Sequence, residues 1–169
     1  YTLLCADYSQ IELRIIASLS GDTNMKAAFI NNEDIHTSTA ARVFNINIDE
    51  VNEEQRRNAK IVNFGIIYGV SAFGLSNQTG LSRSESKEII DNYFKSYPKL
   101  KEYMNNQISF AREKGYVETI LKRKRYLPEI NSRNAILRSS AERNAINTPV
   151  QGSAADIIKL SMIRIDNEF

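Results

Sequence analysis

Apolar positions recur at three- and four-residue intervals along most of the chain, the period of helices that bury one face. Ile11, Ile15, Ile16 and Leu19 form one such stripe, and Gly21 ends it. Ser9 and Glu12 have capping-box spacing at its start. Asp22 can cap a second helix reaching about residue 31, and Asp34 a third. Residues 45–51 read as a polar connection. Ser82 and Glu85 form another capping box and open a helix to about Ser96. Pro98 suits the first turn of the next helix, which runs to about Lys114 before Gly115. Residues 1–6 have the pattern of a buried strand, and residues 116–121 and 125–127 that of a hairpin around Lys122, Arg123 and Lys124. Residues 134–147 read as helical. Thr148, Pro149 and Gln151 then have the spacing of a cap, a first-position proline and a capping carboxamide for a last helix reaching Phe169. That helix is apolar around much of its circumference and is expected to be buried. The pattern predicts a mainly α fold with one short strand and a small hairpin.

The stretch at residues 54–74 organises the rest. Read as one helix, it places Arg56, Lys60, Phe64 and Tyr68 at steps of four, on a slowly drifting ridge. Ile61, Ile66, Ile67 and Val70 make a neighbouring apolar ridge that can hold the helix to a body. Cations followed by flat rings suit a ligand with a polyphosphate and a planar base. An amphipathic helix with a solvated Arg/Lys edge and two core rings fits the same spacing. Gly65 and Gly69 each cost roughly 1 kcal/mol of helix propensity against Ala, which close approach of another group would justify.

Composition adds limits. The chain has 169 residues, 42% hydrophobic and 25% charged, enough for a substantial core. Net charge is +2 and the pI about 8.6, too mild to announce nucleic acid alone. The single Cys5 allows no internal disulfide and suits a reducing cytoplasm. No stretch approaches the roughly 20 apolar residues of a membrane span. There is no initiator Met or export signal, and both termini read as cuts inside a larger protein.

Other residues carry candidate chemistry. Asp7 follows the first strand, where a carboxylate can be rigidly held yet open to ligand. Glu12 alone reads as a capping carboxylate. His36, the only histidine, lies in the first turn of its helix and is either structural or within reach of a phosphate. It has no second His or Cys nearby to complete a zinc set. The four consecutive cations at 122–125 read foremost as a solvated turn, with a phosphate-backbone contact as the alternative. Arg143, Asn147 and Gln151 flank the Pro149 junction.

Three segments together resemble the motifs of family A DNA polymerases, the DNA polymerase I family. Residues 7–14, DYSQIELR, look like motif A. Residues 56–69, with Arg56, Lys60, Asn63, Phe64, Gly65, Tyr68 and Gly69, look like motif B. Residues 143–156 contain the similar TPVQG. The likeness extends in order over essentially the whole chain. It implies a palm edge at 1–20, fingers at 21–127, and helices returning toward the palm at 128–169. It implies DNA-templated synthesis from deoxynucleoside triphosphates on a primed template, with two Mg²⁺ ions, in the cytoplasm at a bacterial nucleoid. Partners would be the remaining palm, a thumb and any exonuclease domain.

By resemblance, Asp7 and the Tyr8 carbonyl would be metal ligands, and Asp7 and Lys60 catalytic. Arg56, Lys60 and His36 would hold the triphosphate. Phe64 would stack by the incoming sugar and base, and Gln10 would lie near the primer–template. Glu12 would be a steric gate against a ribose 2′-hydroxyl, hydrogen-bonded to Tyr68. Tyr68, Arg143, Asn147 and Gln151 would contact DNA. Glu12→Ala is accordingly expected to admit ribonucleotides, and Phe64→Tyr to ease dideoxynucleotide entry. The family's His-Asp-Glu motif C is not in these residues, so the chain alone is expected not to polymerise DNA. A non-catalytic nucleotide- or DNA-binding helical module is the alternative, and Glu12 argues against a single-subunit RNA polymerase.

Overall fold

The computed structural model describes residues 5–168. Most of the expected helices form where their caps stand. Helices α1 (Ile11–Ser20), α2 (Thr23–Ile30) and α3 (Ile35–Phe44) are followed by a short 3₁₀ turn at Ile48–Glu50. Then come α4 (Glu53–Ile67), α5 (Ala72–Thr79), α6 (Arg83–Ser96) and α7 (Pro98–Lys114). Strands β1 (Tyr116–Glu118) and β2 (Lys124–Tyr126) pair antiparallel, with Val117 opposite Arg125. A 3₁₀ turn at Pro128–Asn131 leads into α8 (Ala135–Glu168). The carboxylate of Asp22 accepts from the Asn24 and Met25 amides, and that of Asp34 from the Thr37 amide. Ser82 and Glu85 complete their capping box. Each such cap satisfies amide groups that the first helical turn leaves free.

Four expectations are corrected. Residues 54–74 are not one helix. Gly69 turns left-handed (φ 71°), and Ser71 accepts from the Gly74 amide to cap the separate α5. Ser9 and Glu12 do not form a capping box: Gln10 occupies the N-cap position in a left-handed conformation, without a side-chain cap. Nor does Thr148 start a new helix, because α8 runs through Pro149. The Thr148 hydroxyl instead accepts from Arg125 Nη1 at 3.0 Å. Finally, the end of α8 is not buried: Met162 is 64% and Ile163 59% exposed. The first strand was expected at residues 1–6. Its residues 1–4 lie outside the described part, and Cys5 and Ala6 have no regular structure.

The main core joins Leu13 and Ile16 of α1, Met25 of α2, Ile35 of α3, Val62, Ile66 and Ile67 of α4, Tyr93 of α6 and Val150 of α8. A second cluster, with Val117, Leu127, Ile130, Ala141 and Ala145, seats the hairpin on α8. The cationic run at 122–125 is not a solvated turn throughout. Arg123 bonds the buried Asp156 carboxylate and the Gly152 carbonyl, pinning the hairpin tip to α8.

Candidate functional site

The site is built on α4. Asn52 and Gln55 close a capping box at its start, and Glu53 and Glu54 face the positive end of its dipole. Asn58, Ala59, Val62, Asn63, Ile66 and Ile67 point inward. The outward strip of Arg57, Lys60, Ile61, Phe64, Gly65 and Tyr68 forms one wall of a cavity of about 620 Å³. Gly69, Val70, Ser71, Gln78 of α5 and Arg143 of α8 complete its lining. Lys60 is exposed and makes no ion pair among the described residues.

Two contacts close the end of α4. The Tyr68 phenol donates to Glu12 Oε2 at 2.6 Å, across 56 residues of sequence. Burial and the Glu12 carboxylate push the Tyr68 pKa up, while Gln151 of α8, beside the same phenol, pulls it down. The second contact is between Gly69 and Arg143. A Cβ on Gly69 would lie 2.7 Å from Arg143 Cγ, so only glycine suits both the φ and the space. Gly65 is also crowded: its added Cβ would stand 2.9 Å from Val70 Cγ1.

Because α8 is unbroken, Arg143, Asn147 and Gln151 stand four residues apart on one helix and share a face. Arg143 lines the cavity and Gln151 adjoins Tyr68. The Asn147 Oδ1 atom is shielded from water and has no hydrogen-bond partner among the described residues.

Arg56 is turned away from this cavity. Its guanidinium reaches Asp34 through Nε at 3.2 Å and Nη2 at 2.8 Å. Burial works to raise the Asp34 pKa, but hydrogen bonds from Arg56 and Thr37 outweigh it and hold the carboxyl well below its usual range. His36 is 3% exposed, with its ring centroid 5.9 Å from that of Phe64. Burial lowers its pKa. Asp34 opposes the shift, and Arg56 and Lys60 reinforce it.

Asp7 and Gln10 lie at the start of α1, Asp7 exposed and Gln10 half-buried. Ser161 Oγ donates to the Ile157 carbonyl at 3.0 Å, so the neighbouring Tyr8 phenol is the donor to Ser161, at 2.6 Å. This bond ties the Asp7–Tyr8 segment to α8. Among the described residues, no three His, Cys, Asp or Glu side chains converge as a metal site. Asp7 and the Tyr8 carbonyl offer oxygen donors of the kind Mg²⁺ takes, but not a complete set.

Sequence reasoning missed Arg57, Ser71 and Gln78 in the cavity wall. Arg57 was legible from its four-residue step to Ile61. Gln78 was hidden because α5 itself was not foreseen.

Comparison with known proteins fits this geometry. The model of "DNA polymerase family A" matches residues 1–169, and the chain belongs to that family. It is 58% identical over 165 residues to DNA polymerase I of Streptococcus pneumoniae serotype 4, covering 97% of this chain and 19% of that protein. It is 53% identical to DNA polymerase I of Caldicellulosiruptor bescii, covering 98% of this chain and 19% of the relative. The chain thus spans about a fifth of the length of these bacterial relatives. Its fold superposes with a TM-score of 0.91 and 46% identity on the POL domain of Pol1 from M. smegmatis, in complex with DNA primer-template and dNTP. The match covers 96% of this chain and 29% of that one. No described helix is long and apolar enough to cross a membrane.

Proposed function

We propose that this chain is the nucleotide-gripping fingers and an adjoining palm edge of an enzyme that extends a DNA primer from deoxynucleoside triphosphates. The fingers are assigned to residues 21–127, and the palm edge and returning helices to 1–20 and 128–169. The observation that carries this reading is the α4 surface. Lys60, Phe64 and Tyr68 share one cavity wall, and Tyr68 is anchored to Glu12. A free ammonium one turn from an aromatic face suits a phosphate tail with a stacked base.

On this reading Lys60 holds the triphosphate and stabilises the charge that develops as the pyrophosphate leaves. Arg56 and His36 assist, and Phe64 packs by the sugar and base. Glu12 fills the space of a ribose 2′-hydroxyl, and its bond to Tyr68 keeps it there. Gln10, Tyr68, Arg143, Asn147 and Gln151 approach the primer–template. Contacts to minor-groove acceptors test pair shape without reading sequence, since every pair offers similar acceptors there.

Asp7 and the Tyr8 carbonyl would contribute to two Mg²⁺ sites, with further ligands from outside these residues. When bound, the metals activate the primer hydroxyl and neutralise phosphate charge. We accordingly propose that the 169-residue chain does not extend primers unaided, and labelled-primer extension by it would overturn that statement. In the complete polymerase, Lys60→Ala should cut single-nucleotide incorporation about 10²–10³-fold, the scale of losing one transition-state donor. Unchanged incorporation would remove the nucleotide-gripping reading.

A further inference from the structure

Behind the cavity wall lies a line of buried polar groups that the site reading does not use. Tyr97, Thr39 and Asn63 are each 0% exposed and join α7's N-cap residue to α3 and α4. The Tyr97 hydroxyl lies 3.1 Å from Thr39 Oγ1. Thr39 Oγ1 lies 3.1 Å from Asn63 Oδ1, and Asn63 Nδ2 lies 3.1 Å from His36 Nδ1. These groups lie in the interior, where an unmade hydrogen bond is costly.

The protons in this line can be counted. Thr39 is the only described partner of the Tyr97 hydroxyl, so Tyr97 donates to it. Thr39 then passes its own proton on to an acceptor, the Asn63 carboxamide oxygen. That orientation turns the Asn63 NH₂ toward His36 Nδ1, which must therefore be unprotonated. Flipping the Asn63 amide would leave one buried hydroxyl proton, that of Thr39 or of Tyr97, with no described acceptor. With Nδ1 taken as an acceptor, the proton of a neutral imidazole sits on Nε2. No described residue accepts from Nε2, and Nε2 is not among the buried polar atoms lacking a partner. Nε2 is thus the ring nitrogen left free for a ligand.

We infer that Tyr97, Thr39 and Asn63 are positioning residues, a one-way hydrogen-bond chain that fixes His36 as a neutral imidazole presenting an Nε2–H donor to a phosphate oxygen of the nucleotide. The phosphate half of this inference rests on the function proposed above. Burial and the cations Arg56 and Lys60 favour the uncharged ring, and Asp34 is the one acid opposing them. The donor therefore has a fixed direction. The positive charge of the grip comes from Lys60, and the histidine adds geometry.

The test uses the complete polymerase with ¹⁵N-labelled histidine, the His36 signals being assigned by loss in His36→Gln. The expected spectrum shows Nδ1 unprotonated and Nε2 protonated at pH 7. In the isosteric Asn63→Asp, the carboxylate accepts from Nδ1, and Nδ1 becomes protonated. Nucleotide affinity is then read with primer–template and a deoxynucleoside triphosphate. Asn63→Leu should weaken it about tenfold, the scale of one hydrogen bond to a charged group. In the His36→Gln background the same change should have no further effect, because a carboxamide N–H has no tautomer to lose. Should Asn63→Leu fail to fold, Tyr97→Phe takes its place in the same cycle with a smaller expected loss. A protonated Nδ1 in the unsubstituted enzyme overturns the inference. So does an equal loss from Asn63→Leu in both backgrounds, which would mark Asn63 as packing only. Full affinity in His36→Ala would instead overturn the phosphate contact, and with it the histidine's part in the proposed function.

Discussion

Helix α4 and the last turns of α8 make an instructive pair. By composition α4 is the more polar, yet its inward face holds Asn58 and Asn63, 5% and 0% exposed. The end of α8 is rich in Ile, Leu and Met, yet Ile158, Leu160, Met162, Ile163 and Ile165 are all at least 39% exposed. Burial here follows the availability of complementary neighbours. Asn63 finds a donor and an acceptor waiting at hydrogen-bond distance, which offsets the cost of taking its amide out of water. The α8 residues keep much of their surface in water.

The largest expected effect sharpens that contrast. Ile67→Ala, in the middle of the main core, should destabilise the chain by about 2–5 kcal/mol in urea unfolding. Ile163→Ala should change it by less than about 0.5 kcal/mol. Equal losses would break the comparison. A large Ile163 loss seen only in a longer parent chain would show that α8's outer face is covered there.

A smaller effect concerns the polar end of α4. Glu12→Ala in the complete polymerase removes the carboxylate bonded to Tyr68. Ribonucleotide discrimination in primer extension should fall at least about tenfold, equivalent to roughly 1.4 kcal/mol. Unchanged discrimination would reduce the Glu12–Tyr68 bond to a structural tether.

The smallest effect is the pH dependence of the α3–α4 contact. His36 titrates below its ordinary 6.5 in the fold, so the unfolded chain binds the extra proton and stability falls as pH drops below about 6.5. Asp34 is depressed from an ordinary 3.8, so its contribution is present above that value and is lost as pH falls further. Arg56 and Asp34 are 48% and 37% exposed, so their pair contributes at most about 1 kcal/mol. Urea midpoints should decline in two steps as pH falls from 7 to about 2, and Asp34→Asn should shrink only the lower one, which the depressed Asp156 and Glu85 carboxyls share. A single step surviving in both Asp34→Asn and His36→Gln would locate the acid sensitivity elsewhere.

How legible each part was in the sequence depended on how local its cause is. Asp22, Asp34 and Ser82 cap their helices through atoms two or three residues away, and the spacing alone revealed them. Pro149 misled because a proline at a first turn and a proline inside a buried helix look alike along the chain. Here Ser153 donates to the Pro149 carbonyl and accepts from the Ile120 amide, support that comes from the hairpin's side of the fold. Ser9 and Glu12 misled similarly, because the phenol claiming Glu12 is 56 residues away. Of the site, the row of Lys60, Phe64 and Tyr68 was visible as periodicity. Arg57 and Gln78, and the turning of Arg56 toward Asp34, depend on α3 and α5 being in place.

The continuity of α8 has a mechanical meaning. A rod of 34 residues is about 51 Å long at 1.5 Å per residue, and it carries Arg143 near one end and Ser161 near the other. It is a ruler between the Gly69 seat and the Tyr8 tether, graduated by backbone geometry. One residue inserted between them would swing one anchor about 100° around the axis relative to the other, whereas four would nearly restore the phase. An insertion of one residue between 143 and 161 should therefore disturb both anchors, where one in a surface turn would disturb neither.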